Sequence, residues 1–161
     1  MEQLHAPWRI AYFKIAARKE PGCVFCTVLA ANRDAETFVV TRGKTCFVML
    51  NAYPYNPGHL MVAPYAHKQA LADFTPDELL ELMTLGRDME ALLGRVMNPH
   101  GFNYGVNSGK CAGQGVMGHL HLHVVPRWDG DTNFMTVMSE TRVLPEALAD
   151  LHAKLVAGLG R

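Results

Sequence analysis

Several things are scarce in this sequence, and each scarcity excludes a class of protein. No apolar run approaches the ~20 residues that a membrane helix needs, and the opening MEQLHAPWRIAYFK has neither the apolar stretch nor the small-residue cleavage site of a signal peptide. A soluble, cytoplasmic protein with no membrane partner is expected. Excess charge is also missing: 15 Lys plus Arg balance 15 Asp plus Glu, which leaves no basic field to hold a nucleic-acid polymer. Internal repeats, low-complexity tracts and linkers are absent too. The 161 residues, 49% of them hydrophobic, are therefore expected to form one domain, residues 1–161, burying roughly 70% of the unfolded chain's surface. The four cysteines do not read as a disulfide framework, because Cys23 and Cys26 form a C-x-x-C pair within the N-terminal segment 1–30 while Cys46 and Cys111 stand alone.

The chain order predicts β-β-β-α-β-β-α. Thr37–Thr41 and Thr45–Leu50, joined by Arg42-Gly43-Lys44, read as a hairpin, and a third strand follows at His59–Ala63. Thr75-Pro76-Asp77-Glu78 has the form of a capping box with proline at the first helical position. It opens a helix whose apolar stripe runs through Leu79, Leu82, Met83, Met89, Leu93, Val96 and Met97 and stops before Asn98-Pro99. The last two strands of that order are predicted at Phe102–Val106 and at His119–Val125, with Asn133–Met138 as a candidate addition to them, and a last helix over Pro145–Leu159. This pattern gives an α+β fold, a mostly antiparallel five-stranded sheet with the long helix and the C-terminal helix packed on it.

In His119-Leu120-His121-Leu122-His123-Val124-Val125 the alternation places three imidazoles on one strand face, about 6.6 Å apart, and the leucines in the core. Two chemistries suit that array: three histidines on one catalytic zinc, or one neutral imidazole attacking phosphorus while its neighbours position and protonate. The preceding Gly113-Gln114-Gly115-Val116-Met117-Gly118 has few Cβ atoms to keep an anion from its N–H groups. The C-x-x-C pair reads either as a redox dithiol, for which the thioredoxin-like βαβ context is missing, or as half of a zinc site. Taken singly, His5, His67, His100 and His152 read as surface histidines, His59 as a core-edge histidine, and Asn51 and Asn107 as turn residues.

HLHLHVV, preceded by the Gly-Gln loop, resembles the histidine-triad (HIT) nucleotide-binding pattern. NPGHLMVAPYAH resembles the upstream block of that family, and LHAPWRIAYF, GCVFC and WDGDTNF are similar to its branch of dinucleoside polyphosphate phosphorylases and adenylyltransferases. The resemblance runs from about Leu4 to Phe134. It implies that His121 is the nucleophile forming a nucleotidyl-histidine, with His119, His123 and His59 completing the catalytic set. It places His123, Asn107, Gln114 and Gly115 around the phosphates and Asn51 on the ribose. It also implies a structural zinc on Cys23, Cys26, His67 and His119, no organic cofactor, a nucleotide as small-molecule substrate, and a homodimer. Many relatives carry Ser or Thr after the loop glutamine where this chain has Gly115, which leaves the preferred leaving group open. The reaction implied is nucleotidyl transfer or hydrolysis at the α-phosphate, with phosphorolysis of diadenosine tetraphosphate foremost. The alternatives are hydrolysis of a nucleoside phosphoramidate or dinucleotide, and nucleotide binding without turnover.

Overall fold

The computed structural model describes residues 22–114, 118–131 and 146–160. Among these residues, strands β1 (Val39–Arg42), β2 (Cys46–Leu50), β3 (Leu60–Pro64), β4 (Gly101–Val106) and β5 (Leu122–Arg127) form one sheet. Its order is β1-β2-β3-β5-β4, and all neighbours are antiparallel. The helices are α1 (Val24–Ala31), the single turn α2 (Asp34–Thr37), α3 (Pro76–Met97) and α4 (Leu148–Leu159). The expected five-stranded α+β architecture is observed. The strand predicted at Asn133–Met138 and the amphipathic segment around Trp8–Phe13 lie outside the described residues.

Strand alternation sorts the core into two layers. Cys46, Val48, Leu50, Leu60, Val62, Leu122 and Val124 face α3, whose Leu82, Met89, Leu92 and Leu93 are buried against them. Each such side chain contributes about 2 kcal/mol of burial. The capping box forms as read: the Thr75 hydroxyl accepts from the Glu78 N–H, and the Glu78 carboxylate accepts from the Thr75 N–H. Asn98 ends the helix at φ 48°. Met83 departs from the expected stripe and is exposed, while Gly86 and Leu92 take the inward positions. A Cβ at Gly86 would stand 3.1 Å from Leu122, so glycine there permits the close approach of helix and sheet.

Helix α1 was not legible as a helix. It covers the opposite face, where Phe25 and Val28 pack with Phe47, Met49, Met61 and Ala63. The expected hairpin starts later than its sequence suggested, because Thr37 belongs to α2 and Phe38 at φ 60° ends that turn. The third strand begins at Leu60, one residue past His59.

The triad strand also begins late, and Pro64 explains why. Asn51 N–H bonds His59 O and Tyr65 N–H bonds Thr45 O, so the odd residues of β3 bond to β2 and the even ones face β5. Pro64 would be the next even donor and has no N–H. The ladder stops, Leu120 N–H turns to Lys68 O at 2.7 Å, and the Pro64 carbonyl is left for the His119 ring at 2.9 Å.

Candidate active site

His59, His119, His121 and His123 are all buried on the sheet face that α1 partly covers. His121 Nδ1 lies 3.0 Å from the His119 carbonyl oxygen. A carbonyl only accepts, so Nδ1 carries the proton and Nε2 holds the lone pair. Burial holds the pKa of this imidazole below 6.5, against the opposing pull of the His119 carbonyl. The ring is thus neutral at pH 7 with one nitrogen available for attack.

A backbone amide fixes the tautomers of the next two rings. Tyr55 N–H donates to His59 Nδ1 at 3.1 Å, and Asn51 Nδ2 lies 3.3 Å from the same nitrogen. His59 therefore carries its proton on Nε2 and donates it to His123 Nδ1, 2.9 Å away. In the neutral ring this places the His123 proton on Nε2, which stands 3.4 Å from Asn107 Nδ2, itself oriented by the Gly113 carbonyl. The His123 Nε2–H and the Asn107 amide thus stand side by side, the arrangement of donors that can hold an oxyanion.

His119 is committed elsewhere. Its Nε2 donates to Pro64 O, so Nδ1 presents a lone pair to Cys23 Sγ at 3.2 Å and Cys26 Sγ at 3.7 Å. His67 Nδ1 stands 3.4 Å from Cys26 Sγ, and the four ligand atoms lie within 4.8 Å of one another. Tetrahedral zinc with bonds of 2.0–2.3 Å sets ligand atoms about 3.3–3.8 Å apart, so Cys23, Cys26, His67 and His119 fit such an ion. The Pro64 bond is the kind of outer contact that would orient His119 as a ligand. The three triad rings do not converge on one metal, since each Nδ1 points to a different partner.

Gln114 is buried; its Oε1 accepts from Gly109 N–H at 3.1 Å, and its Nε2 has no partner among the described residues. Asn51 Oδ1 closes a turn by accepting from Tyr53 N–H, while its amide nitrogen faces His59. Gly115 lies outside the described residues.

Sequence reasoning missed three residues. Tyr55 stacks on His59 with centroids 4.7 Å apart. Phe25, between the two cysteines, packs on His119 and His121 at 4.9 and 4.8 Å. Neither contact has a sequence period to betray it. His152 is buried, not a surface histidine, and its Nε2 donates to Val39 O; its place beside Leu151 in the helical stripe was the available signal.

The HIT domain profile matches residues 32–130, which include all five strands and the triad. The AP-4-A phosphorylase of Mycobacterium tuberculosis (strain H37Rv) is 40% identical, with 100% of this chain and 86% of that protein covered. The asymmetrical bis(5'-nucleosyl)-tetraphosphatase of Schizosaccharomyces pombe is 36% identical over 58% of this chain and 50% of its own length. A zinc-bound histidine triad family protein from Mycobacterium smegmatis superposes with a TM-score of 0.70 at 28% identity, covering 86% of this chain and 94% of that one. Triad, sheet and sequence agree, and the chain belongs to the HIT domain family.

Proposed function

We propose that this protein is a nucleotidyltransferase acting at the α-phosphorus of a dinucleoside polyphosphate, diadenosine tetraphosphate foremost, through a covalent nucleotidyl-His121. The observation that carries the reading is the His121 Nδ1 bond to the His119 carbonyl, which leaves Nε2 nucleophilic. The Nε2 lone pair forms a P–N bond as the bridging P–O bond breaks and its electron pair departs with the nucleoside triphosphate. His123 Nε2–H and Asn107 Nδ2 stabilise the charge on the non-bridging oxygens, and His59 holds His123 in that tautomer. Gln114 Nε2 and the Gly115 backbone serve the phosphate chain, and Asn51 serves the ribose. An acceptor oxygen then attacks the same phosphorus and releases His121. Inorganic phosphate yields the nucleoside diphosphate, and water the monophosphate. The two relatives named for AP-4-A phosphorolysis and for tetraphosphate cleavage support the substrate class.

His119 acts through its carbonyl on His121 and through its ring as a ligand. A structural zinc on Cys23, Cys26, His67 and His119 pins α1 to the sheet and takes no part in phosphoryl chemistry, and no organic cofactor is required. No helix among the described residues is long and apolar enough to cross a membrane. Balanced charge supports a small-molecule substrate over a nucleic-acid polymer, and the cytoplasm, where nucleotides are abundant, is the proposed location. A homodimer is proposed from the family resemblance and the exposed edge strand β4, and light scattering at micromolar concentration tests it.

The decisive experiment incubates the protein with diadenosine tetraphosphate with and without phosphate and identifies products by mass. Nucleoside diphosphate appearing only with phosphate establishes phosphorolysis, and intact substrate after prolonged incubation refutes turnover.

A further inference from the structure

Strand β4 contains two glycines for which the fold gives no reason. Gly101 and Gly105 sit in an uninterrupted antiparallel ladder, opposite Arg127 and His123 respectively. Neither has positive φ, and a Cβ built on either meets nothing within 4 Å among the described residues. Glycine inside a strand weakens it, and where no bulge or bend demands it, its presence marks a place where a ligand or another backbone approaches closely. Cross-strand partners share a face, so Gly101, Asn103 and Gly105 line the histidine face and leave it bare beside His123.

The space so cleared is a cavity of about 410 Å³ bounded by Tyr55, Asn103, Gly105, Asn107, His123 and Arg127. Its position matters: strand order puts β5 between β3 and β4, so the cavity lies on the far side of His123 from His59 and Asn51. Arg127 stands four residues along β5 from His123, about 13 Å away, which is the scale of a short polyphosphate. Its guanidinium is held by Asp131 through Nε and Nη2 at 2.6 and 3.0 Å, and by Asn103 Oδ1 through Nη1 at 2.7 Å. Those three bonds use three of five N–H groups. Asp131 is fixed in turn by Asn56 Nδ2 at 2.7 Å. The cation is thereby aimed and, among the described residues, has two donors to spare.

We infer that this cavity is the leaving-group subsite: it takes the polyphosphate arm displaced from the α-phosphorus, with Gly105 as the cleared floor and Arg127 as the cation at its distal end. The inference rests on the nucleotidyl-transfer reading and adds to it the residues that select for an anionic leaving group. A nucleotide bound with its ribose toward Asn51 sends its remaining phosphates past His123 along β4.

Two variants test it. In Gly105→Val a β-branched side chain fills the floor in a strand that favours it, and Arg127→Gln removes the charge while keeping a donor. Inorganic tripolyphosphate, which carries no nucleoside, is titrated calorimetrically into wild type and both variants, and each variant is expected to bind it at least tenfold more weakly. Kinetics on diadenosine tetraphosphate are compared with kinetics on adenosine 5′-phosphoramidate, whose leaving group is ammonia. The loss in kcat/KM on the tetraphosphate is expected to exceed the loss on the phosphoramidate by at least tenfold. Thermal melting and sedimentation confirm that Gly105→Val keeps the wild-type fold and oligomeric state. Unchanged tripolyphosphate affinity, equal losses on both substrates, or an altered oligomer in Gly105→Val overturns the inference. A wild type inert toward both substrates overturns the underlying reading along with it.

Discussion

The carbonyl oxygen of His119 stands 3.0 Å from His121 Nδ1, and the same residue's side chain is tied to Pro64 on one nitrogen and faces two thiols on the other. Backbone and ring of one histidine thus serve different ends: the carbonyl sets the tautomer of the proposed nucleophile, and the ring belongs to a cluster of four residues that could hold a metal ion. His121→Asn is expected to lower kcat by roughly 10⁴-fold or more, as removal of a covalent nucleophile does. Its melting temperature should fall by no more than a few degrees, because no hydrogen bond among the described residues depends on Nε2. Steady-state kinetics with a melting curve checks this, and a loss below tenfold contradicts the nucleophilic role.

The acid limb of the rate profile follows from burial. His121 is displaced below its ordinary 6.5 mainly by desolvation, and in the proposed mechanism only the neutral ring attacks. Activity should therefore persist as pH falls through 6.5 and decline only near the lower folded-state value. Measured kcat/KM against pH should show that limb below 6.5; a limb above it would mean that a different group governs the attack.

Much of this site could be read from the chain because strand parity is a strict constraint. Once His119-Leu120-His121-Leu122-His123 is read as an extended, alternating run, the leucines fix which face the histidines occupy, and Thr75 with Glu78 fixes where α3 begins. The remainder depends on contacts between segments far apart in sequence. That β5 starts at Leu122 depends on the N–H missing at Pro64, 58 positions before it. Helix α1 consists of apolar and β-branched residues without a side-chain cap, and it forms because Phe25 and Val28 find a sheet to cover. Its one local marker was Asn32, which ends it at φ 48°. The donor pair at His123 and Asn107 appears only when β4 and β5 align Gly105 with His123.

The cysteine cluster predicts a measurable metal. Elemental analysis of the purified protein should give one zinc per chain, and Cys23→Ser or His67→Ala should lower that stoichiometry and the melting temperature together, because structural metal binding is folding free energy. Phe25 lies between the two cysteines and against His121, so the same variants should also lose activity, though less than His121→Asn. Full stability without metal would remove the structural role.

Glu81 on α3 tests how the hairpin is anchored. Its carboxylate accepts from Lys44 N–H and Thr45 N–H, both at 2.6 Å, and from the Thr45 hydroxyl. Gly43 is needed beside it, since a Cβ there would stand 2.5 Å from the carboxylate. Burial pushes the Glu81 pKa up, but the bonds from Thr45 and Lys44 outweigh it and hold the acid below 4.5. A depressed folded-state pKa gives stability that is present above the unfolded value and lost as pH falls through the folded one. Glu81→Gln should therefore cost about 2 kcal/mol at pH 7, or roughly 6 °C in Tm for a chain of this size. The gap between wild type and variant should narrow as pH drops below 4.5. Denaturation at pH 7 and at pH 3.5 measures both, and a gap independent of pH would show that the charge of Glu81 is not what holds the turn.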